Sequence, residues 1–350
     1  MRNFLDKAEK AGINFFAYRY PGEQPVYGCS SCIYSTPGKG FVVAPFLMDY
    51  FIRIPDNEKE REAVNRGEYT GIKGIKGMAP MSHTSTTKGE YMDGAAKILR
   101  QLKSNSIGKV VYSRVIVKER GFSLSKRFEE LCDRYPTAFV FCYYTEPTGC
   151  WIGCTPELLL ESDGKELHTM ALAGTRTNGS TGEWDAKNME EQQIVTDYIV
   201  ATMKANGITP HTLPRRTKKA GPVEHLCTPI TANITAETNN MTTAESNDSD
   251  RTPFDLLQLL RALSPTPALA GYPKEDAIKL IRTTEKHSRG CYGGFIGPMT
   301  DDKRFSLFVN LRSMMVDAKN TALFVGGGYT HLSDPESEWI ETENKAATLA

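Results

Sequence analysis

The chain holds 350 residues, 40% of them apolar, enough for one large domain or two ordinary ones around a substantial core. Its 42 Lys plus Arg balance 42 Asp plus Glu, so no overall field draws it to nucleic acid or an acidic membrane, while a local basic pocket for an anionic metabolite stays compatible with that zero. No run approaches the roughly 20 apolar residues that span a bilayer, the start lacks the apolar stretch of a secretory signal, and the expectation is a cytoplasmic protein.

Residues 40–55 (GFVVAPF and DYFIRIP) read as one or two short strands with a proline-marked bend. A helix covers residues 91–102, with Met92, Ala95, Ala96, Leu99 and Leu102 on its buried side. Residues 109–117 (KVVYSRVIV) alternate as a strand, Lys109 sharing a side with Val111, Ser113, Val115 and Val117. Residues 138–145 and 150–162 give one strand each, and their short connections favour antiparallel neighbours. Residues 167–173 lead into AGTRTNG, where Gly174 and Gly179 permit a turn or a close backbone approach.

After Trp184, polar residues alternate with Ile194, Val195, Tyr198 and Ile199 at helical spacing, the pattern of a long amphipathic helix. Residues 236–250 are poor in large apolar groups and read as a surface loop. Helices follow over 253–263 and around 277–282. Residues 307–316 (LFVNLRSMMV) and 320–329 (NTALFVGGGY) then read as paired strands. This order of elements indicates mixed α/β architecture with large antiparallel sheets.

Chemistry concentrates in a few places. Ser333 can cap a last helix, with Pro335 in its first turn and Glu336 completing a capping box. Glu338, Glu341 and Lys345 follow at helical spacing and share a side. Glu190 and Glu191 lie on the earlier helix, with Lys187 one turn before Glu191. A hard magnesium ion prefers oxygen ligands, so such carboxylates plus one from a substrate can complete its shell; alone, both groups also read as solvated helix faces. Lys109 reads either as a strand-end lysine snorkelling to water or, facing a closed cleft, as a desolvated base.

Gly326, Gly327 and Gly328 can aim backbone N–H groups at an anion or form an ordinary bend, and they match no nucleotide fingerprint. Arg312 offers a planar fork to a carboxylate, whether of substrate or protein. Cys29 and Cys32 make a lone C-x-x-C, a weak redox or zinc signal, and most other cysteines sit in apolar or glycine-rich stretches as small packing residues.

Taken together, these segments resemble the chorismate-utilising enzyme family, isochorismate synthases in particular. The anchors run from KVVYSR (109–114) through TPELLL (155–160), ALAGTR (171–176) and KNMEEQQIV (187–195). They continue with EHLCTPI (224–230), LSPTPALAGYP (263–273), EKHSRGCYGGFIG (285–297), LRSMM (311–315) and GGGYTHLSDPESEWIETENK (326–345). The resemblance implies a single chorismate-binding enzyme domain over 1–350, with a divergent N-terminal portion at 1–105 and a catalytic portion at 106–350. Its expected fold is α/β, two large antiparallel β-sheets flanked by helices.

By the same resemblance, Lys109 activates water and Glu157 is the acid on the opposite side. Glu191 and Glu341 are the principal carboxylates for Mg2+, with Glu338 and Glu190 contributing around them. Arg312 and Lys345 match contacts to substrate carboxylates, and Gly174, Thr175, Gly326, Gly327 and Gly328 match close-approach positions. Three positions depart from the family pattern: Ser264 stands where histidine is common, Asn188 where aspartate is frequent, and Tyr329 where an aliphatic residue is usual, a change expected to reshape the pocket lip.

The implied reaction is magnesium-dependent interconversion of chorismate and isochorismate, by water addition at C2 and loss of the C4 hydroxyl, with no redox cofactor. Ala173 stands where aminodeoxychorismate synthases commonly carry a nucleophilic lysine, and anthranilate synthases commonly lack the lysine that Lys109 supplies. Two alternatives stay open: a salicylate synthase acting through isochorismate, and a non-catalytic chorismate-binding protein. The expected partners are chorismate and isochorismate, the product feeding menaquinone or siderophore pathways. A monomer is expected, with a weak homodimer as the alternative.

Overall fold

Strands buried on both faces make up two antiparallel sheets, each packed between helices and the other sheet. The computed structural model describes residues 3–36, 38–70, 81–104, 107–221, 223–234, 255–347 and 349. In chain order the first elements are α1 (Phe4–Ala11), β1 (Asn14–Arg19), β2 (Val26–Ser30), β3 (Gly40–Ala44), β4 (Ile52–Ile54), α2 (Glu58–Arg66), α3 (Lys88–Lys103) and β5 (Lys109–Glu119). Then come α4 (Leu124–Arg134), β6 (Phe139–Thr145), β7 (Gly149–Thr155), β8 (Leu158–Asp163), β9 (Glu166–Thr177), α5 (Ala186–Ala205), β10 (His211–Thr212), β11 (Arg216–Ala220) and β12 (Val223–Asn233). The last are α6 (Leu256–Leu263), β13 (Gly271–Tyr272), α7 (Lys274–Thr284), β14 (Phe295–Met299), β15 (Arg304–Val309), β16 (Ser313–Val316), β17 (Asn320–Tyr329) and α8 (Pro335–Ala346). The loop expected over 236–250, and the start of the helix expected from 253, lie outside the described residues.

One sheet has the order β13-β5-β17-β16-β7-β6-β1-β2, and the other β10-β12-β9-β8-β15-β14-β3-β4, with β11 also paired to β12. The α/β class with two large antiparallel sheets is as expected. Helices α1 and α4 cover the outer face of the first sheet through Leu5, Ala8, Phe128 and Leu131. Helices α5 and α6 cover the second through Val195, Ile199, Leu259 and Leu263. Between the sheets lies an aromatic core of Phe16, Phe41, Phe139, Phe141, Tyr143 and Trp151. Phe139 of one sheet stacks on Phe308 of the other at 4.0 Å between centroids, worth about 0.5–1.5 kcal/mol beyond the area buried. The N-terminal strands enter both sheets, β1 pairing with β6 and β3 with β14. Among the described residues no helix is long and apolar enough to cross a membrane, and all eight cysteines are free.

Two stretches expected as single strands each divide between the sheets. Residues 150–162 split at Pro156, which cannot donate to a ladder, so β7 joins the first sheet and β8 the second. Residues 307–316 split the same way into β15 and β16, and only β16 pairs with β17. The second break centres on Arg312, whose φ of 46° lies in the left-handed region that a non-glycine residue rarely adopts. The buried stripe of α3 is Tyr91, Gly94, Ala95, Ile98 and Leu102. Ala96 is exposed instead, because Gly94 is the residue pressed against Tyr112. Helix α8 is capped by Asp334, which accepts from Ser337 N at 2.9 Å, rather than by Ser333. Glu336 pairs with Lys88 at 2.7 Å and forms no capping box.

Candidate active site

The two breaks lie side by side. Val309 N donates to Glu157 O and Cys154 N to Arg312 O, each at 3.0 Å, stitching one crossover to the other. Glu157 and Arg312 thus leave adjacent chain segments and reach the same cleft. Glu191 of α5, Lys345 of α8, and Gly326 and Gly328 of β17 share its lining. Lys218 Nζ secures the first crossover by donating to Pro156 O at 2.7 Å.

Glu157 is buried, and burial pushes its carboxyl up to about 8 against the pull of Lys109, Lys218 and Arg312. Lys109 is fully buried one step behind the cleft surface, its Nζ 3.0 Å from Glu191 Oε1. Burial pulls the Lys109 ammonium below its ordinary value, and Glu191 opposes that pull. Burial likewise disfavours charge on Glu191, but Lys109 and Lys187 outweigh it and hold Glu191 down at about 2. The sequence left Lys109 open between solvent and cleft; the structure buries it behind the cleft wall, against Glu191.

Gly326, Gly327 and Gly328 form neither a bend nor a turn. They continue β17 along β5, facing Ser113, Tyr112 and Val111. Strand β16 stops opposite Phe324, so this stretch keeps an edge without a partner strand among the described residues. Missing side chains are what the site uses here. A Cβ on Gly328 would collide with Glu191 Oε1, and one on Gly327 would crowd Glu338 and Glu341. Tyr329 does not reach the pocket lip: adjacent strand residues point to opposite faces, and its hydroxyl donates to Tyr91 Oη at 3.1 Å in a buried cluster.

The expected metal carboxylates gather in part. Lys187 Nζ bridges Glu191 Oε2 at 3.2 Å and Glu338 Oε1 at 3.0 Å, and Lys345 Nζ holds Glu341 Oε1 at 2.6 Å. Glu190, turned about 100° around α5 from Glu191, takes no part in these ion pairs. Burial and the neighbouring Glu341 push Glu338 up to about 7, and its Oε2 is buried with no hydrogen-bond partner. Among the described residues no three His, Cys, Asp or Glu side chains stand in a metal-binding arrangement; lysines occupy the carboxylates instead. The donor set still fits a hard divalent cation: all oxygen, carboxylate, and carrying one orphaned buried oxygen.

Sequence reasoning gave no role to His225, on β12. Its Nε2 accepts from Arg312 Nη2 at 2.8 Å, so its Nδ1 carries the proton and donates to Gly174 O at 3.0 Å. Burial, then Arg312 and Lys345, hold this imidazole neutral, well below its ordinary value. Gly174 is an extra residue on β9, at a bulge opposite the His225–Leu226 step with φ 74°, which frees its carbonyl for that bond. Thr175 N donates to Asn188 Oδ1 at 2.8 Å, so Asn188 docks α5 onto β9. Ser264 caps the end of α6, outside the cleft lining.

Comparison with known proteins shows the family and the fold. The family model for chorismate binding enzymes matches residues 56–350, beginning well before Lys109, where the first of the sequence anchors starts. Isochorismate synthase MenF of Bacillus subtilis (strain 168) is 27% identical over 272 residues, 74% of this chain and 54% of that protein. Isochorismate synthase MenF of Escherichia coli (strain K12) is 31% identical over 235 residues, 64% of this chain and 49% of that protein. The chain therefore spans about half the length of these curated relatives. The solved structure of MenF, the menaquinone-specific isochorismate synthase from Escherichia coli, shares the fold at a TM-score of 0.73 and 20% identity, over 96% of this chain and 87% of that one. A match of that extent, over a fold that carries the motifs into one cleft, assigns the protein: the chain belongs to the family of chorismate binding enzymes.

Proposed function

We propose that the chain is a magnesium-dependent isochorismate synthase, a cytoplasmic monomer that interconverts chorismate and isochorismate. Arg312 and Lys345 hold the substrate carboxylates, and His225 fixes the guanidinium plane that meets them. Lys109 takes a proton from water as its oxygen bonds to C2. Glu157 gives a proton to the C4 hydroxyl as that bond breaks and the ring double bond shifts. One water enters and one leaves, so substrate and product are isomers. Magnesium, held by Glu191 and Glu341 with Glu338, would supply positive charge to the ring carboxylate.

The observation that carries this reading is Glu157. A carboxyl pushed up to about 8 by burial stays protonated near neutral pH, which an acid for a departing hydroxyl requires. It shares one cleft with cationic Arg312 and Lys345, the groups that suit a dianion. Ala173 lines the same cleft and offers no amine to attack the ring.

Purified protein incubated with chorismate, with and without Mg2+, is expected to yield isochorismate only when the metal is present, as read by NMR. Salicylate plus pyruvate would identify the salicylate synthase reaction instead. Unchanged chorismate with Mg2+ present would leave a binding protein.

A further inference from the structure

Lys187 sits between two carboxylates that come from different helices, Glu191 of α5 and Glu338 of α8, at 3.2 and 3.0 Å. Lys109 meets Glu191 at 3.0 Å and Lys345 meets Glu341 at 2.6 Å, so three ammonium groups face three carboxylates. Each carboxylate of the cluster thus meets a lysine without a metal, which offsets part of the cost of burying it. Two atoms of the cluster lack a hydrogen-bond partner: Lys109 Nζ, which still has its ion pair with Glu191, and Glu338 Oε2, in a residue only 4% exposed.

The three lysines are not equally placed. Lys109 is buried behind the cleft wall at Gly328, and Lys345 is tied by a second bond to Gly326 O at 2.8 Å. Lys187 instead lines an outer groove between α5 and α8, which it shares with Asp185, Asp334 and Asn344. The Asp185 and Asp334 carboxylates, each an N-cap acceptor at its own helix, thus lie along the same groove as the Lys187 side chain.

We propose that Lys187 is an internal counter-cation that competes with the divalent metal for Glu191 and Glu338, moving to the Asp185–Asp334 groove when the metal binds. The proposal rests on the reading of these carboxylates as the metal site. A dication drawn to Glu338 Oε2 and Glu191 would lie next to the Lys187 ammonium on the same two carboxylates, and repulsion between them favours an outward Lys187. Lys187 thereby keeps the metal-free cluster folded and sets a modest metal affinity.

The test is calorimetric titration of Mg2+ into the metal-free wild type, Lys187→Met and Lys187→Arg, with thermal unfolding of each and no substrate present. Lys187→Met is expected to bind Mg2+ at least about tenfold more tightly than the wild type. Its metal-free form should melt lower, and Mg2+ should raise its Tm by more than the wild type's. Lys187→Arg, which keeps the cation, should stay close to the wild type in both. Equal or weaker Mg2+ binding by Lys187→Met, with the wild type binding normally, would overturn the competition and leave the metal reading intact. Absence of binding by both proteins would overturn the two together. Should Lys187→Met not fold, Lys187→Gln carries the same comparison.

Discussion

Lys109→Ala is expected to lower kcat by roughly 10²- to 10⁴-fold while the protein stays folded. The loss follows because no other side chain near Glu191 is both buried and able to give up its proton readily. Lys187 is held charged by three carboxylates, and Lys345 Nζ is already bonded to Glu341 and to the Gly326 carbonyl. Folding should survive, since Glu191 keeps Lys187 at 3.2 Å and β5 keeps its pairing with β17. Circular dichroism and a thermal melt check the fold, and steady-state kinetics the rate. A pure, folded Lys109→Ala protein turning over normally would remove Lys109 from the base role.

Glu157→Gln should cost a similar factor, with a signature in pH that separates an acid from a merely polar wall. With Glu157 as the acid, the protonated carboxyl is the active form, so turnover should hold through neutral pH and fall as pH rises through about 8. Stability follows the same group. Its folded value of about 8 lies above the ordinary 4.5, so its contribution is fully present below 4.5 and is lost as pH rises through about 8. Glutamine mimics the neutral acid and cannot ionise. The variant should therefore melt above the wild type at alkaline pH while turning over far more slowly. Retained activity in the glutamine form would argue against acid catalysis.

Much of this architecture is readable in one dimension, and the exceptions have physical causes. The strand KVVYSRVIV and the helical spacing of Glu338, Glu341 and Lys345 are local properties, and the structure keeps both, although residues 109–115 are buried on both faces. What local pattern could not show is the change of sheet at Pro156 and at Arg312, because apolar residues continue on both sides of each break. The proline was visible, and a strand that cannot donate there is the signal that separates β7 from β8. The left-handed backbone of Arg312 has no such marker.

Tyr329 was legible by parity alone: next to Gly328 on a strand, it must face away from whatever Gly328 admits. His225 was detectable as an imidazole inside an otherwise apolar strand segment, but its bond to Arg312 joins residues far apart in the chain and needs the fold. The same holds for Lys187, whose helical neighbour Glu191 was expected but whose second partner, Glu338, comes from another helix. Glu190 shows the limit of counting acids: one residue away from Glu191, it points elsewhere.

The central claim is that this cleft delivers water oxygen to C2 while Glu157 releases the hydroxyl at C4. Turnover of chorismate in ¹⁸O-labelled water, with Mg2+ and mass spectrometric location of the label, tests it directly. The account predicts isochorismate carrying a single ¹⁸O at C2. Isochorismate that retains only unlabelled oxygen, made by the same folded protein, would contradict it.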